Sequence, residues 1–337
     1  MAGLNSVHRR HQHLFRHSGA RSMTWLTASA VAISMFTTLA FLGLLVGLSV
    51  DWLRPSPETV LTLPQRLEQL LSATPSAGLG FTGLAPAIFG TVLLVILMTL
   101  VLGPFAVAVA IYLSEYAARG WYTDMVRIAI QNLAGVPSII YGVFGLGFFI
   151  YVIGASVDEM FFADSLPQPT FGTPGLLWAA LTMALMNLPV VVVATLEGLS
   201  RVPQEQRYGS LALGATRWET LRHITLPAVL PNILTGLILS VARAAGEVAP
   251  LMLVGVVKYA PASLVDGRWP FVHFEQKFMH LGYQVYDVAM HAPLDSGRLE
   301  LIAVTALLLV IVVVALNLSA ILLRLRLGQS TAQSESL

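Results

Sequence analysis

Arg243 and Glu247 are charged side chains standing inside an otherwise apolar run, V-A-R-A-A-G-E-V-A-P-L. Holding an arginine or an acid at the centre of a membrane helix costs about 2.5–3.5 kcal/mol even on insertion scales. Leucine would be cheaper there, so the pair calls for a reason. Spaced by four, the two side chains share one helical face and can form an ion pair. Two readings stay open. The pair can be a salt bridge that fixes helix packing, or both residues can line a polar pathway between subunits. Arginine suits an oxyanion on such a pathway, because its planar fork donates two parallel hydrogen bonds and keeps its charge.

A second stretch, Arg201 to Pro227, is long for a connector between two apolar runs. It reads as two short helices hinged at Gly214. Tyr208, Leu211, Ala212 and Ala215 fall at i, i+3, i+4 and i+7, one face of a helix. Gly209, Ser210, Ala212, Gly214 and Ala215 are small, so another protein can approach the backbone closely. Gly214 tolerates the positive φ of a sharp turn. Beyond it Trp218, Leu221 and Ile224 continue an apolar stripe towards Leu226-Pro227. The plainer reading is an interfacial loop that only joins two spans.

Other chemistries are missing. The chain has no cysteine, so it offers no disulfide, thiolate metal site or cysteine nucleophile. Its lysines are Lys258 and Lys277, and neither follows a glycine. The phosphate-cradling pattern G-x-x-x-x-G-K-[ST] is therefore absent, and any ATP must be bound by another chain. Paired intramembrane aspartates, an H-E-x-x-H helix and a Ser/His pair within the spans are also absent, which argues against covalent chemistry here. Gly135-Val136-Pro137-Ser138 with Gly142, Gly145 and Gly147 is dense in glycine, but no strand precedes it. Close helix packing or a broken helix is expected there. His8, His11, His13 and His17 sit among Arg9, Arg10, Arg16 and Arg21, and read as incidental to a basic anchor.

The elements that must position these residues are membrane helices. Hydrophobic residues make up 56% of the chain and charged ones 11%, and the mean hydropathy is +0.74. These values predict an all-α polytopic membrane protein. Six spans are expected: Ser22–Val50, Pro86–Leu113 with a kink at Gly103-Pro104, Ile128–Ile153, Gly175–Leu196, Ala228–Val257 and Leu301–Leu323. Leu63, Leu67, Leu70 and Leu71 suggest a short surface helix in the first loop. A loop over 154–174 carries Asp158, Glu159 and Asp164. Twelve of the 19 Lys and Arg residues lie on the side of the termini and the 200–227 loop, and six lie opposite. The basic excess places both termini and that loop in the cytoplasm. The expected organisation is a basic segment over 1–24, one six-helix domain over 25–325 and a tail over 326–337.

Gly214, nine residues, then Ile224-x-Leu226-Pro227 resembles the coupling-loop motif of ABC importer permeases, E-A-A, three residues, G, nine residues, I-x-L-P. The family's Glu-Ala-Ala stands here as Tyr208-Gly209-Ser210. Ala242 to Leu251, A-R-A-A-G-E-V-A-P-L, closely resembles the signature of the A-type permease subunit of phosphate-specific ABC importers, the PstA family. Glu115-Tyr116-Ala117, the run from Gly135 to Gly145 and Ala212-Leu213-Gly214-Ala215-Thr216 match as well. An arginine common near the end of span four in that family is replaced by Ala194, in Ala194-Thr195-Leu196-Glu197. The resemblance implies the type I importer permease fold, in a bacterial inner membrane. It implies a C-type sister permease, two ATPase subunits that bind ATP and Mg, and a periplasmic phosphate-binding protein, with no cofactor in this chain. Permeases for sulfate, molybdate or phosphonate are alternatives. A proton-coupled secondary transporter using Glu247 is another.

Overall fold

A computed structural model describes residues 29, 31–50, 65, 68, 83–118, 120–260, 264–266, 271–291 and 298–334. The basic segment 1–24 and most of the expected surface helix at 63–71 lie outside the described residues. Among the described residues six helices are long and apolar enough to cross a membrane. We number the helices α1 (Val31–Val50), α2 (Ala85–Tyr116), α3 (Trp121–Leu133), α4 (Ser138–Phe161), α5 (Leu176–Arg201), α6 (Gln204–Ala212), α7 (Arg217–Gly246), α8 (Leu251–Val254), α9 (Leu281–His291) and α10 (Arg298–Ser334). No strand occurs among the described residues, which hold two isolated bridges.

Helix α5 is the centre of the bundle, with Leu176, Ala179, Ala180, Met183, Val191 and Val192 fully buried. Lipid tails are as apolar as leucine, so close contact between helices has to come from small residues. Gly198 meets Val229 and Asn232 of α7, and Gly236 of α7 meets Val191 and Ala194. These two contacts set α5 and α7 antiparallel and in register. Helix α2 packs on the same core, α10 on α7, and α9 between α10 and α2. Helix α2 runs on past Pro104, with Gly103 against Leu237.

Two expected spans are broken rather than continuous. The third is not one helix from Ile128 to Ile153. Instead α3 stops at Leu133, residues 134–137 turn, and α4 runs from Ser138 to Phe161. Pro137 explains the stop, since a proline disfavours helical geometry in the residue before it. Helix α4 then packs tightly, because a Cβ on Gly142 would lie 2.7 Å from Pro250 Cα and one on Gly145 would strike Thr182 and Val254. Asp158, expected in a loop, is buried in the last turns of α4 and accepts hydrogen bonds from the Phe171 and Gly172 amides.

The fifth span does not run from Ala228 to Val257. Helix α7 starts earlier, at Arg217, and ends at Gly246, where Glu247 turns extended. Gly246 is a weak helix former, and Pro250 disfavours helical geometry at Ala249. Leu221–Thr225 widens to i→i+5 hydrogen bonding just before Pro227, whose ring and missing N–H disturb the regular ladder.

Candidate translocation and coupling sites

The connection between α5 and α7 is built as a stop followed by a start. Helix α6 ends at Ala212 and Gly214 has φ +90°. The Gly214 amide donates to the Leu211 carbonyl at 3.0 Å, and the Ala215 amide to Ser210 at 3.2 Å. This double closure is the Schellman cap, and its left-handed position favours glycine. Thr216 then caps α7. Its hydroxyl accepts from the Glu219 amide while the Glu219 carboxylate accepts from the Thr216 amide, a reciprocal capping box.

Tyr208, Gly209, Leu211, Ala212 and Gly214 are exposed on this turn. Leu213 at its tip is 91% exposed, and Trp218 is exposed beside it. Ser210 and Ala215 are half-buried, and Ser210 Oγ lies 2.9 Å from Thr220 Oγ1. Ala215 therefore stands outside the helix whose face it was expected to share. Leu213 was missed by the helical spacing, because the cap turns it outward.

Arg207 and Glu115 were not singled out as a pair from the sequence. Arg207 Nη1 donates to Glu115 Oε1 at 2.6 Å, and its Nη2 donates to the Leu199 carbonyl at 2.6 Å. One guanidinium thereby joins α6 to the ends of α2 and α5. A cleft of about 440 Å³ opens beside it, lined by Tyr116, Tyr208, Leu211 and Arg217 among others.

The intramembrane pair forms as its spacing predicts. Arg243 Nε lies 3.3 Å from Glu247 Oε1. The two residues share no continuous helix, because α7 ends between them. Extending the α5–α7 register sets Arg243 level with Leu185 and Met186, about 14 Å along α5 from Leu176. Both side chains keep an open flank, at 37% and 22% exposure. Arg243 also sits in the last turn of α7, where free carbonyls favour a cation.

The end of the bundle opposite the turn is closed by the segment after α8. The first amides of α5 lack partners within their own helix and donate instead to carbonyls of this segment. Gly175 bonds Val254, Leu176 bonds Gln276 and Leu177 bonds Phe274. His273 is gripped here, with Nε2 3.0 Å from Asp266 and Nδ1 3.2 Å from Glu275. Asp266 foremost holds its pKa above the ordinary value. Lys258 pairs with the buried Asp287 at 2.8 Å, which likewise raises the lysine. His280 is fully buried, and burial lowers its pKa to about 4.

Six membrane helices, two of the spans broken, and a projecting helix–turn–helix define a permease of the ABC transporter class. The chain belongs to the family of binding-protein-dependent transport system inner membrane components, which matches residues 103–333. It is similar to the phosphate transport system permease protein PstA of Yersinia pestis, at 32% identity over 66% of this chain and 68% of that one. A probable ABC transporter permease protein of Bacillus subtilis, YqgH, is 34% identical over 55% of this chain. That match spans 56% of the relative's own length. In fold the chain resembles a bacterial ABC transporter involved in import of the acidic polysaccharide alginate. There the TM-score is 0.61, with 16% identity over 90% of this chain and 96% of that one.

Proposed function

We propose that this chain is the A-type permease subunit of an ATP-driven importer of inorganic phosphate. It forms one half of a translocation pathway that a C-type sister subunit completes. Two separate ATPase subunits carry the ATP and Mg, and a periplasmic binding protein delivers phosphate. The observation that carries the reading is the capped turn at 204–220, which presents exposed Tyr208, Leu211, Leu213 and Trp218 beyond the spans. Apolar side chains of that size, held rigid by a Schellman cap and a capping box, suit a groove on another protein.

In this reading the turn faces the cytoplasm and moves with the ATPase. ATP binding can open the pathway outward only if the docked complex binds nucleotide with different free energies in its inward and outward states. Arg243 and Glu247 line the pathway on their open flank, and Arg243 supplies the positive charge that an oxyanion meets. Similarity to the PstA proteins and the A-R-A-A-G-E-V-A-P-L signature support phosphate as the substrate.

The test is uptake of radiolabelled phosphate by proteoliposomes holding this chain, its sister, the ATPase and the binding protein. Uptake should require ATP, and excess sulfate, molybdate or phosphonate should leave it unchanged. Competition by one of these would move the substrate to that oxyanion. Accumulation driven by a proton gradient without the ATPase would overturn the importer reading.

A further inference from the structure

The geometry points to Arg207 as a positioning residue that carries movement of the coupling turn into the spans; this rests on the coupling role proposed above. The other ties of α6 are local. Its cap closes on Leu211 and Ser210, and its Ser210–Thr220 contact reaches only the first turn of α7. Arg207 reaches further. Its Nη1 bonds Glu115, in the last turn of α2, at 2.6 Å. Its Nη2 bonds the carbonyl of Leu199, in the last turn of α5, at 2.6 Å. The Leu199 carbonyl is one of the acceptors that a helix end leaves without an intrahelical partner. The guanidinium therefore completes α5 and binds it to α2 and α6 together.

The chemistry suits a strap. Charge-assisted bonds from a planar fork are short and directional, and two of them fix orientation as well as distance. Arg207 is mostly withdrawn from solvent, at 20% side-chain exposure, whereas Tyr208 beside it is 64% exposed. Neighbouring residues thus face opposite tasks, one outward to a partner and one inward to the spans. Because α5 is in register with α7, a shift passed to α5 reaches the helix that carries Arg243.

A double-mutant cycle on the assembled transporter tests this. Arg207→Ala and Glu115→Gln should each leave the ATPase co-purifying with the permease. Each should lower phosphate accumulated per ATP hydrolysed about tenfold, within the usual range of coupling between sites. The double variant should lose no more than Arg207→Ala alone, since that change already removes the bond to Glu115. The charge swap, Arg207→Glu with Glu115→Arg, should recover only the part of the lost ratio owed to the α6–α2 bond, since a glutamate cannot donate to the Leu199 carbonyl. A merely structural role would lower the amount of assembled transporter and leave that ratio unchanged. Losses that multiply in the double variant, or a swap that recovers nothing, would overturn the strap. So would loss of the ATPase from Arg207→Ala, which would make Arg207 part of the docking face. Leu213→Glu serves as the control on the reading beneath: if it leaves both ATPase docking and the ratio of phosphate to ATP intact, the coupling role of the turn itself fails.

Discussion

At the scale of single residues, Arg243 faces two claims on its charge. Glu247 neutralises it in part, and the last carbonyls of α7 favour it where it stands. On the proposed pathway an oxyanion would have to compete with both, so neutralising either residue should act differently. Arg243→Gln is expected to abolish phosphate uptake while the subunit still inserts and assembles. It leaves Glu247 without its partner, which by itself destabilises. Adding Glu247→Gln should restore packing and thermal stability but not transport. Near-normal radiolabelled uptake in that assembled double variant would leave the pair as a salt bridge only. The spacing of four made the contact legible in the sequence. What the spacing does not reveal is that α7 ends between the partners, at Gly246, with Glu247 extended. His273 supports a second prediction. Its pKa is raised by Asp266 and then Glu275, both in the closing segment, so the protonated form cross-links that segment internally. That contribution is full below the ordinary histidine value and is lost as pH rises through the raised one. A spin label at Phe274 should therefore become more mobile over the pH range upward from the ordinary histidine value. In His273→Gln the label should be indifferent to pH over that range; a label that tracks pH equally in both chains would show that His273 does not hold the segment.

Among elements, the turn was read well because its signals are local. Gly214 at the position that needs positive φ spells the helix stop; the capping box of Thr216 and Glu219 is equally local in T-R-W-E, but it was not singled out from the sequence. The breaks in spans three and five were harder to place. Leu133–Ser138 is mostly apolar, and in Gly246–Leu251 the charge of Glu247 reads as a site residue and not as a break, since a broken backbone buried in protein needs no change in side-chain polarity. The glycines of α4 hinted at close approach without naming Pro250, Thr182 and Val254 as what approaches. Packing between distant segments sets those contacts, and no spacing along the chain encodes them. The turn yields its own prediction. Gly214→Val puts a β-branched residue at φ +90° and should spoil the cap, and Leu213→Glu places a charge at the exposed tip. Both chains should insert and pair with the sister subunit. Each should weaken ATPase recruitment at least tenfold, or leave hydrolysis unlinked to uptake. Thr216→Ala removes one capping bond, worth about 1 kcal/mol, and should give a milder version of the same defect. Normal co-purification and a normal ATP-to-phosphate ratio in all three would reduce the turn to a connector.

For the whole molecule, orientation decides which end meets ATP. The turn end carries Arg201, Arg217 and Arg222, all exposed. At the far end Lys258 is paired with Asp287, and Arg298 is held by the Ala289 carbonyl. Basic residues near span ends resist translocation, and this supports the proposal that the richer end faces the cytoplasm. The rule acts during insertion on the whole set of flanking residues, which is why it is read from the sequence better than from the folded contacts. It places Leu213 inside and Tyr259 outside. A chain without cysteine makes the test direct, because each introduced thiol is then the sole target. Leu213 is 91% exposed and Tyr259 50%, so reagent can reach either position on its own side. Tyr259→Cys should react with a membrane-impermeant thiol reagent in cells whose outer membrane has been opened. Leu213→Cys should stay unlabelled until the inner membrane is lysed, and then react fully. The reverse pattern would turn the bundle over. It would also bring the Arg207 strap and the exposed tip to the side where no ATP is found, and the proposed coupling would fall with the orientation.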